Sequence, residues 1–373
     1  MKKKDLGDFL EGLNKEDAQE RGIEAHEGSF FATAPDDATI VTRAREFDDV
    51  PKHWVRREIW LKTVKRIQKA KGAGLRLLTL PGRHQFEVKL YKKEGLLAER
   101  KGDGGDCLEV VGFETDPTVF GLLATAEPKL LELLRGDILH AFIEPQSVNG
   151  KAIRAHAPYD VINLDLTANI ATKNDGPYSP FLRGVRECFQ IQGNQTGSWA
   201  LMVTFRAGMS ENEPAVIREL EGFFQQNLLN HLRVKEACLD RYRVETAKEF
   251  LANHPEEGLG QITGKWVIEQ GHQFEWECKF YRHAAYDRHY STDKGGQRYS
   301  LRKLVFEFSR RLTTQRQLVL TTIPAQSWHA DDLARLFDRA ALLSVDEVVA
   351  KMDPEYKTRI EKEIELWRDG APE

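Results

Sequence analysis

The residues best suited to chemistry in this 373-residue chain stand in the segment YDVINLDLT, residues 159–167. Its apolar residues favour a β-strand. Asn163 and Asp165 lie at the C-terminal end of that predicted strand. Open α/β sheets bind ligands outside the carboxyl ends of parallel strands, so this amide and this carboxylate are candidate catalytic groups. The same pair is also typical of a buried strand whose last polar side chains cap the next helix. Both interpretations stay open at this point.

The composition is that of a soluble globular protein, with 41% hydrophobic and 30% charged residues. No apolar run approaches the roughly 20 residues of a membrane helix, so we expect neither a membrane span nor a membrane partner. Four scattered cysteines, without a CxxC pair, indicate a reducing cytoplasm. The histidines have no metal-ligand spacing, and we predict no metal site.

Strand-like and helical segments alternate along the middle of the chain. Short apolar strands are predicted at 75–80, 108–114, 159–165 and 198–207. An amphipathic helix is predicted over 52–71, and further helices follow each strand, one of them running from Pro117 to about Leu134. This alternation predicts a mostly parallel sheet with helices on both faces. Two later strand-like runs, 274–284 and 300–311, flank a Gly-Gly and predict an antiparallel hairpin.

These elements divide the chain into three predicted parts. Residues 1–50 carry weak signals and form an N-terminal appendage. Residues 51–320 hold the α/β domain, and residues 321–373 form a helical C-terminal extension that ends in charged residues. We expect that helical tail to be a surface for a protein partner.

Five α/β units followed by an antiparallel hairpin resemble the class I S-adenosylmethionine-dependent methyltransferases, which have a Rossmann-like fold. The sharpest local match is VVGFETDP, residues 110–117, which resembles the family's strand with a terminal acid. The resemblance places Glu114 on the ribose hydroxyls of S-adenosylmethionine, since a carboxylate accepts two hydrogen bonds from a diol. It places Asp137, after Gly136, at the adenine, and Asn163 and Asp165 at the mouth where methyl transfer occurs.

The chain also departs from the family pattern. The family's first strand ends in an acid and a glycine-rich loop, whereas LTLPGRHQFE (77–87) has one glycine, Gly82, and no acid there. Glu87 lies too far into the following helix to replace that acid. The resemblance still implies that Thr79, Pro81 and Gly82 contact the cofactor. The Asn-Pro-Pro-aromatic signature of base amino-methyltransferases is missing, which disfavours N6-adenine and N4-cytosine methylation of DNA.

Positive charge is concentrated in two stretches, although the chain carries a net charge of −4. Residues 51–101 contain 15 Lys and Arg against four Glu, and residues 279–318 contain 10 Lys and Arg against three acids. Such stretches are typical of a surface that meets a polyanion, and equally of solvated helix and hairpin faces. The predicted nucleic-acid contacts are Arg56, Lys62, Lys65, Arg66, Arg282, Arg288, Arg298 and Arg302.

Three functions follow from these patterns. The first is an S-adenosylmethionine-dependent methyltransferase that acts on or with nucleic acid. The second is a catalytically silent protein of the same fold, serving as a binding or scaffold subunit of a bacterial multi-protein system such as phage defence. The third is a protein that binds another nucleotide in the same crevice, with Arg83 on a phosphate.

Overall fold

The computed structural model describes residues 49–101, 105–171, 179–208, 212–290, 297–310, 333–337 and 342–368. These residues belong to a compact unit that spans Glu46–Glu373. The predicted appendage falls almost entirely outside the described residues, as does the Gly-Gly turn of the hairpin. None of the helices in the described ranges has the length and hydrophobicity to cross a bilayer.

A helical segment precedes the sheet and confirms the helix predicted over 52–71. It consists of α1 (Val50–Val55), a π-helical part (Arg56–Leu61) and α2 (Lys62–Lys71). Asp49 caps its first turn by accepting from the Lys52 backbone N–H. The segment ends at Gly72, whose φ of +70° is the left-handed conformation that glycine adopts most easily.

The strands in chain order are β1 (Leu77–Thr79), β2 (Glu99–Arg100), β3 (Cys107–Glu114), β4 (Leu130–Arg135), β5 (Val161–Asn169), β6 (Trp199–Arg206), β7 (Trp276–Tyr290), β8 (Gln297–Arg310) and β9 (Leu342–Ser344). They form one sheet in the order β4-β3-β1-β5-β6-β8-β7-β9, and β2 pairs with the start of β3. The strands β4, β3, β1, β5 and β6 are parallel. Numbered among themselves they follow the doubly wound order 3-2-1-4-5.

The helices on the two faces follow the strands, as the alternating pattern predicts. They are α3 (Phe86–Lys93), α4 (Pro117–Leu123), α5 (Ile138–Ile143), α6 (Val148–Ala155), α7 (Pro180–Ile191), α8 (Pro214–Asn230), α9 (Leu232–Tyr242), α10 (Ala247–Asn253), α11 (Pro255–Gln273), α12 (Val345–Ala350) and α13 (Pro354–Arg368).

Successive strand residues point to opposite faces of the sheet and enter two separate cores. Leu77 and Val161 belong to the core beneath α1–α3, whereas Leu78 and Ile162 belong to the core beneath α5 and α7–α11. Both faces of the sheet are therefore covered. This explains why the strand sequences are nearly continuous apolar runs rather than alternating apolar and polar residues.

The predicted antiparallel hairpin is confirmed and completes the sheet. Strand β8 pairs antiparallel with both β6 and β7, and β9 then adds to β7 in parallel. The extension 321–373 was predicted to be helical, yet its residues Leu342–Ser344 form that last strand. Helices α12 and α13 follow it and pack into the core that α1 covers.

The helix predicted after β3 is wrong in its second half. The helix expected from Pro117 to about Leu134 ends at Leu123, and residues Leu130–Arg135 form the parallel strand β4. A short apolar run such as LLELLR fits a buried strand or a helix equally well by periodicity. Pro128 separates the two elements, since proline cannot continue a helix.

Candidate functional site at the end of strand β1

The carboxyl ends of the parallel strands meet where the strand order reverses, between β1 and β5. Thr79, the last residue of β1, is in register with Gly112 of β3 and Asn163 of β5. Glu114 and Asp165 each lie two residues further along the strands that flank β1. By strand alternation all of these side chains face the α1–α3 side, and two strand spacings separate β3 from β5 by roughly 10 Å.

Glu114 lies at the end of β3, partly exposed, where the resemblance expects an acid. Its carboxylate accepts from the Asp116 backbone N–H at 2.9 Å and forms no ion pair among the described residues. Burial raises the pKa of Glu114. Asp137 instead caps α5 by accepting from the Leu139 N–H at 2.8 Å, a structural role that uses one of its oxygens.

The loop after β1 is short but leaves space near Gly82. Gly82 has a φ of +59°, and a Cβ added there would meet no atom within 4 Å. Pro81 is buried and packs towards Gly112. Gln85 is buried in a left-handed conformation, and neither atom of its amide has a hydrogen-bond partner in the described chain.

A carboxylate does reach the end of β1, from a residue that the sequence interpretation set aside. Glu87, in the first turn of α3, is 3% exposed and accepts from the Thr79 hydroxyl at 3.2 Å. Burial raises the pKa of Glu87, and Arg56 at 3.8 Å opposes that shift. An acid from the following helix therefore lies beside the end of β1.

Asp165 is held by two lysines rather than exposed to a substrate. One carboxylate oxygen contacts Lys303 Nζ at 2.7 Å, and the other contacts Lys52 Nζ at 2.8 Å. Although burial opposes the shift, the two ammonium groups hold the pKa of Asp165 well below its usual range. Asp165 is therefore ionised near neutral pH and is a poor proton acceptor.

Lys303 completes this charged cluster from β8. Its Nζ also donates to Thr204 Oγ1 at 3.2 Å and lies 4.2 Å from the centre of the Trp60 ring. Burial lowers the pKa of Lys303 to about 7, against the opposing effect of Asp165. Lys303 thus changes its charge near neutral pH.

Asn163, the other predicted catalytic residue, has no exposed surface. Both its amide oxygen and its amide nitrogen are without a hydrogen-bond partner among the described residues. A buried amide normally forms hydrogen bonds, and leaving one unsatisfied costs about 1–3 kcal/mol. The side chain therefore marks a polar position beneath the helices, beside Thr79.

The segment α1 and the π-helical residues that follow cover this site. Lys52, Arg56 and Trp60 recur every four residues and all reach the buried cluster. The Arg56 guanidinium also lies 4.9 Å from the centre of the Phe86 ring. π-Helical turns are rare and frequently occur at functional sites.

Sequence reasoning did not assign Lys52, Glu87 or Lys303 to the site, although two signals were present. The four-residue spacing of Lys52, Arg56 and Trp60 places them on one helix face. Lys303 lies on the same face of β8 as Leu301 and Val305, and the opposite face of this strand is also buried. A buried lysine is almost always paired.

The predicted nucleic-acid contacts separate into interior and surface residues. Arg56 is buried beside Glu87, and Arg302 is buried on the Glu256 carboxylate and carbonyl. The structure corrects these two, because residues inside the protein do not add to an exposed basic surface. Lys65 is exposed and pairs with Glu94.

The remaining five predicted contacts lie in α2 and in the hairpin strands β7 and β8. Lys62, Arg66 and Arg282 line one cavity. Arg288 and Arg298 lie in the hairpin strands β7 and β8, and their side chains are outside the described part of the structure.

The lowered pKa of Lys303 predicts a pH dependence of stability. Between pH of about 7 and the ordinary lysine pKa of about 10.4, the unfolded chain binds this proton and the native protein does not. Stability therefore rises with pH in that window. Between pH 7 and 9 the free energy of unfolding, measured with urea, should increase more for the wild type than for Lys303→Met, by up to about 1.4 kcal/mol per pH unit. Equal increases would contradict the lowered pKa of Lys303.

Five parallel strands in the order 3-2-1-4-5, completed by an antiparallel hairpin, define the class I S-adenosylmethionine-dependent methyltransferase fold, and this chain has that fold. A family model described as PP_RS20740-like matches residues 133–369, more than half of the chain. The chain therefore belongs to the PP_RS20740-like family. No curated protein matches it in sequence.

Solved structures of methyltransferases are similar to the chain only distantly. A SAM-dependent methyltransferase from Archaeoglobus fulgidus is 11% identical, with a TM-score of 0.32, over 73% of this chain and 100% of that one. TYW2 from M. jannaschii, in complex with AdoMet, is 9% identical, with a TM-score of 0.29, over 67% and 76% of the two chains. The strand order, and not these identities or TM-scores, defines the fold of this chain.

Proposed function

We propose that this protein is an S-adenosylmethionine-dependent methyltransferase that acts on or with nucleic acid in a reducing cytoplasm. The observation that carries the proposal is the placement of Glu114 and Asp165 on one face of the sheet, flanking the end of β1. Glu87 adds a carboxylate on the Thr79 hydroxyl between them. The four cysteines are free, in keeping with a reducing compartment.

The residues at this edge fit the cofactor. Glu114 has carboxylate oxygens suited to the ribose diol, and Gly82 leaves open space at the turn after β1. The buried amides of Gln85 and Asn163 have donors and acceptors without partners among the described residues. When bound, S-adenosylmethionine supplies the methyl group as a sulfonium.

The chain's own residues then position the acceptor and accept its proton. Asp165 stays ionised and orients the amino groups of Lys303 and Lys52. Lys303, with a pKa of about 7, is suited to take a proton from the acceptor, since a general base works best with a pKa near the operating pH. Asn163 would hold the acceptor by its amide.

Calorimetric titration with S-adenosylmethionine tests the proposal. We expect binding by the wild type and a loss of about 10- to 150-fold in affinity for Glu114→Gln, because a charge-assisted hydrogen bond contributes about 1.5–3 kcal/mol. Glu109→Gln is the matched control, since Glu109 lies on the same strand but pairs with Arg100 at the other end. Absence of binding heat from the wild type would remove the enzyme proposal.

One observation favours the second candidate function, a catalytically silent binding or scaffold subunit of a bacterial multi-protein system such as phage defence. The acceptor side is closed, because Asn163 is fully buried and Asp165 is held by Lys52 and Lys303. The C-terminal extension 321–373 would then contact the protein partner. This candidate requires stable co-purification with a partner and no methylation; a chain that methylates unaided would exclude it.

A further inference from the structure

The acceptor side of the candidate site lies beneath α1 and the π-helical residues that follow it. Asn163 is fully buried, and the side chains of Asp165 and Lys303 are 9% and 1% exposed. An acceptor that reaches these groups must therefore displace part of the helical segment above them. The structure thus describes a closed conformation of the site.

Lys52 joins α1 to this acceptor side. Its Nζ lies 2.8 Å from one oxygen of the Asp165 carboxylate, and Lys303 contacts the other oxygen from β8. The Lys52 side chain is 12% exposed, so salt and water screen this ion pair only weakly. Lys52 therefore covers Asp165 from the side of α1, and access to the carboxylate requires that this contact is broken.

A second contact joins α1 and the π-helical turn to the C-terminal helix α13. The Glu363 carboxylate lies 3.2 Å from His53 Nε2 and accepts from Arg57 Nη1 at 2.6 Å. Although burial opposes the shift, these two partners hold the pKa of Glu363 below its ordinary value, so the carboxylate is ionised. Hydrogen bonds to an ionised carboxylate are stronger than those between neutral groups. Glu363 therefore ties this part of the chain to the C-terminal extension.

The attachment of α1 depends strongly on these polar contacts. Of its six residues, only His53 and Val55 are buried. Apolar burial stabilises a segment in proportion to the area that it removes from water, so α1 gains little stability from the core below it. The contacts with Asp165 and Glu363 therefore decide how firmly α1 is closed.

The π-helical turn Arg56–Leu61 lies between α1 and α2. Such a turn interrupts the regular i→i−4 hydrogen bonds of an α-helix, and helices bend at these interruptions. Val64 and Ile67 are fully buried and anchor α2 on the core. Rotation about the π-helical turn would therefore separate Lys52 from Asp165 while α2 stays in place.

We propose that α1 is a movable cover of the acceptor side, held closed by the contact of Lys52 with Asp165 and by Glu363 of α13. When α1 rotates about the π-helical turn, Asp165 becomes accessible to an acceptor. Because Glu363 belongs to the C-terminal extension, that extension controls how often the site opens. The inference rests on the proposed function for the chemistry of the site and adds a closed state to it.

Hydrogen–deuterium exchange of the protein alone, without S-adenosylmethionine, tests this inference. In the wild type we expect the amides of residues 53–57 to exchange faster than those of β6, in the centre of the sheet. Their exchange should also depend less on urea, because a local opening exposes less surface than global unfolding does. If both sets of amides share one rate and one urea dependence, α1 opens only when the whole protein unfolds, and the inference is overturned.

Variants of the two contacts test what holds the cover closed. Glu363→Ala should increase the exchange rate of the same amides by about 10- to 150-fold, the factor equivalent to one hydrogen bond to a charged group. Lys52→Met removes the contact with Asp165 and should increase the rate within the same range. Glu361→Ala is the matched control, since Glu361 also lies on α13 but is exposed, and it should leave the rate unchanged. Circular dichroism confirms that each variant is folded.

The outcomes for the cover and for the proposed activity are distinguishable. Equal exchange rates in Glu363→Ala and Glu361→Ala overturn the inference, whether or not S-adenosylmethionine binds. Faster local exchange in Glu363→Ala and Lys52→Met, without binding of S-adenosylmethionine in calorimetry, supports the cover and removes only the proposed activity.

Discussion

Asp165→Leu is expected to destabilise the protein by about 3–5 kcal/mol, because it removes the carboxylate that Lys52 and Lys303 share. The Lys303 and Lys52 side chains are 1% and 12% exposed, and both contact Asp165 within 2.8 Å. Removing one partner of a buried ion pair typically costs this much, since the remaining charge cannot regain its hydration. Urea unfolding at pH 7 measures the loss in free energy.

The double variant Asp165→Leu/Lys303→Met tests whether the stability is lost through the unpaired charge or through the missing Asp165 side chain. Replacing a buried pair by apolar residues of similar size is often neutral or stabilising, so the double variant should recover most of the stability that Asp165→Leu loses. Glu94→Gln, which breaks the exposed pair with Lys65, is the control and should cost less than about 1 kcal/mol. A double variant as unstable as Asp165→Leu would show that the charges are not the cause.

Trp367→Ala is expected to destabilise the protein by a similar amount, about 3–5 kcal/mol. Ile360, Ile364 and Trp367 form the buried face of α13. The Trp367 ring lies 5.5 Å from the His53 ring and 5.7 Å from the Phe86 ring, measured between centroids. Truncation would open a cavity between α1, α3 and α13, directly behind the helix that covers Asp165.

The neighbouring residue provides the control for this prediction. Leu366 is 40% exposed, so Leu366→Ala should change the free energy of unfolding by no more than about 0.5 kcal/mol. Chemical denaturation of both variants, followed by tryptophan fluorescence and by circular dichroism, measures the difference. If the two variants lose equal stability, α13 does not seal this core in the way the structure indicates.

Much of the sheet could be predicted because its strands have a local signal. The runs 108–114 and 198–207 are apolar and bounded by turn residues, and they fold as β3 and β6. The strand β4 was missed because LLELLR has no alternation that distinguishes a strand from a buried helix. The strand β9 was missed for a related reason, since three residues carry too little periodicity to indicate a pairing with β7.

The sequence predicted the elements that carry these residues, but not their bonding. By itself it determined that Glu114 falls at a strand end and that Asn163 and Asp165 share one strand, because residue order and periodicity specify the element to which a side chain belongs. The prediction that Asn163 and Asp165 end that strand is wrong, since β5 continues to Asn169. Only the tertiary structure decided that Lys303, 138 residues away in sequence, and Lys52 neutralise Asp165, and that Glu87 reaches Thr79. The physical reason is that charge pairing and pKa depend on distance and burial in three dimensions, and the spacing of residues along a chain encodes neither.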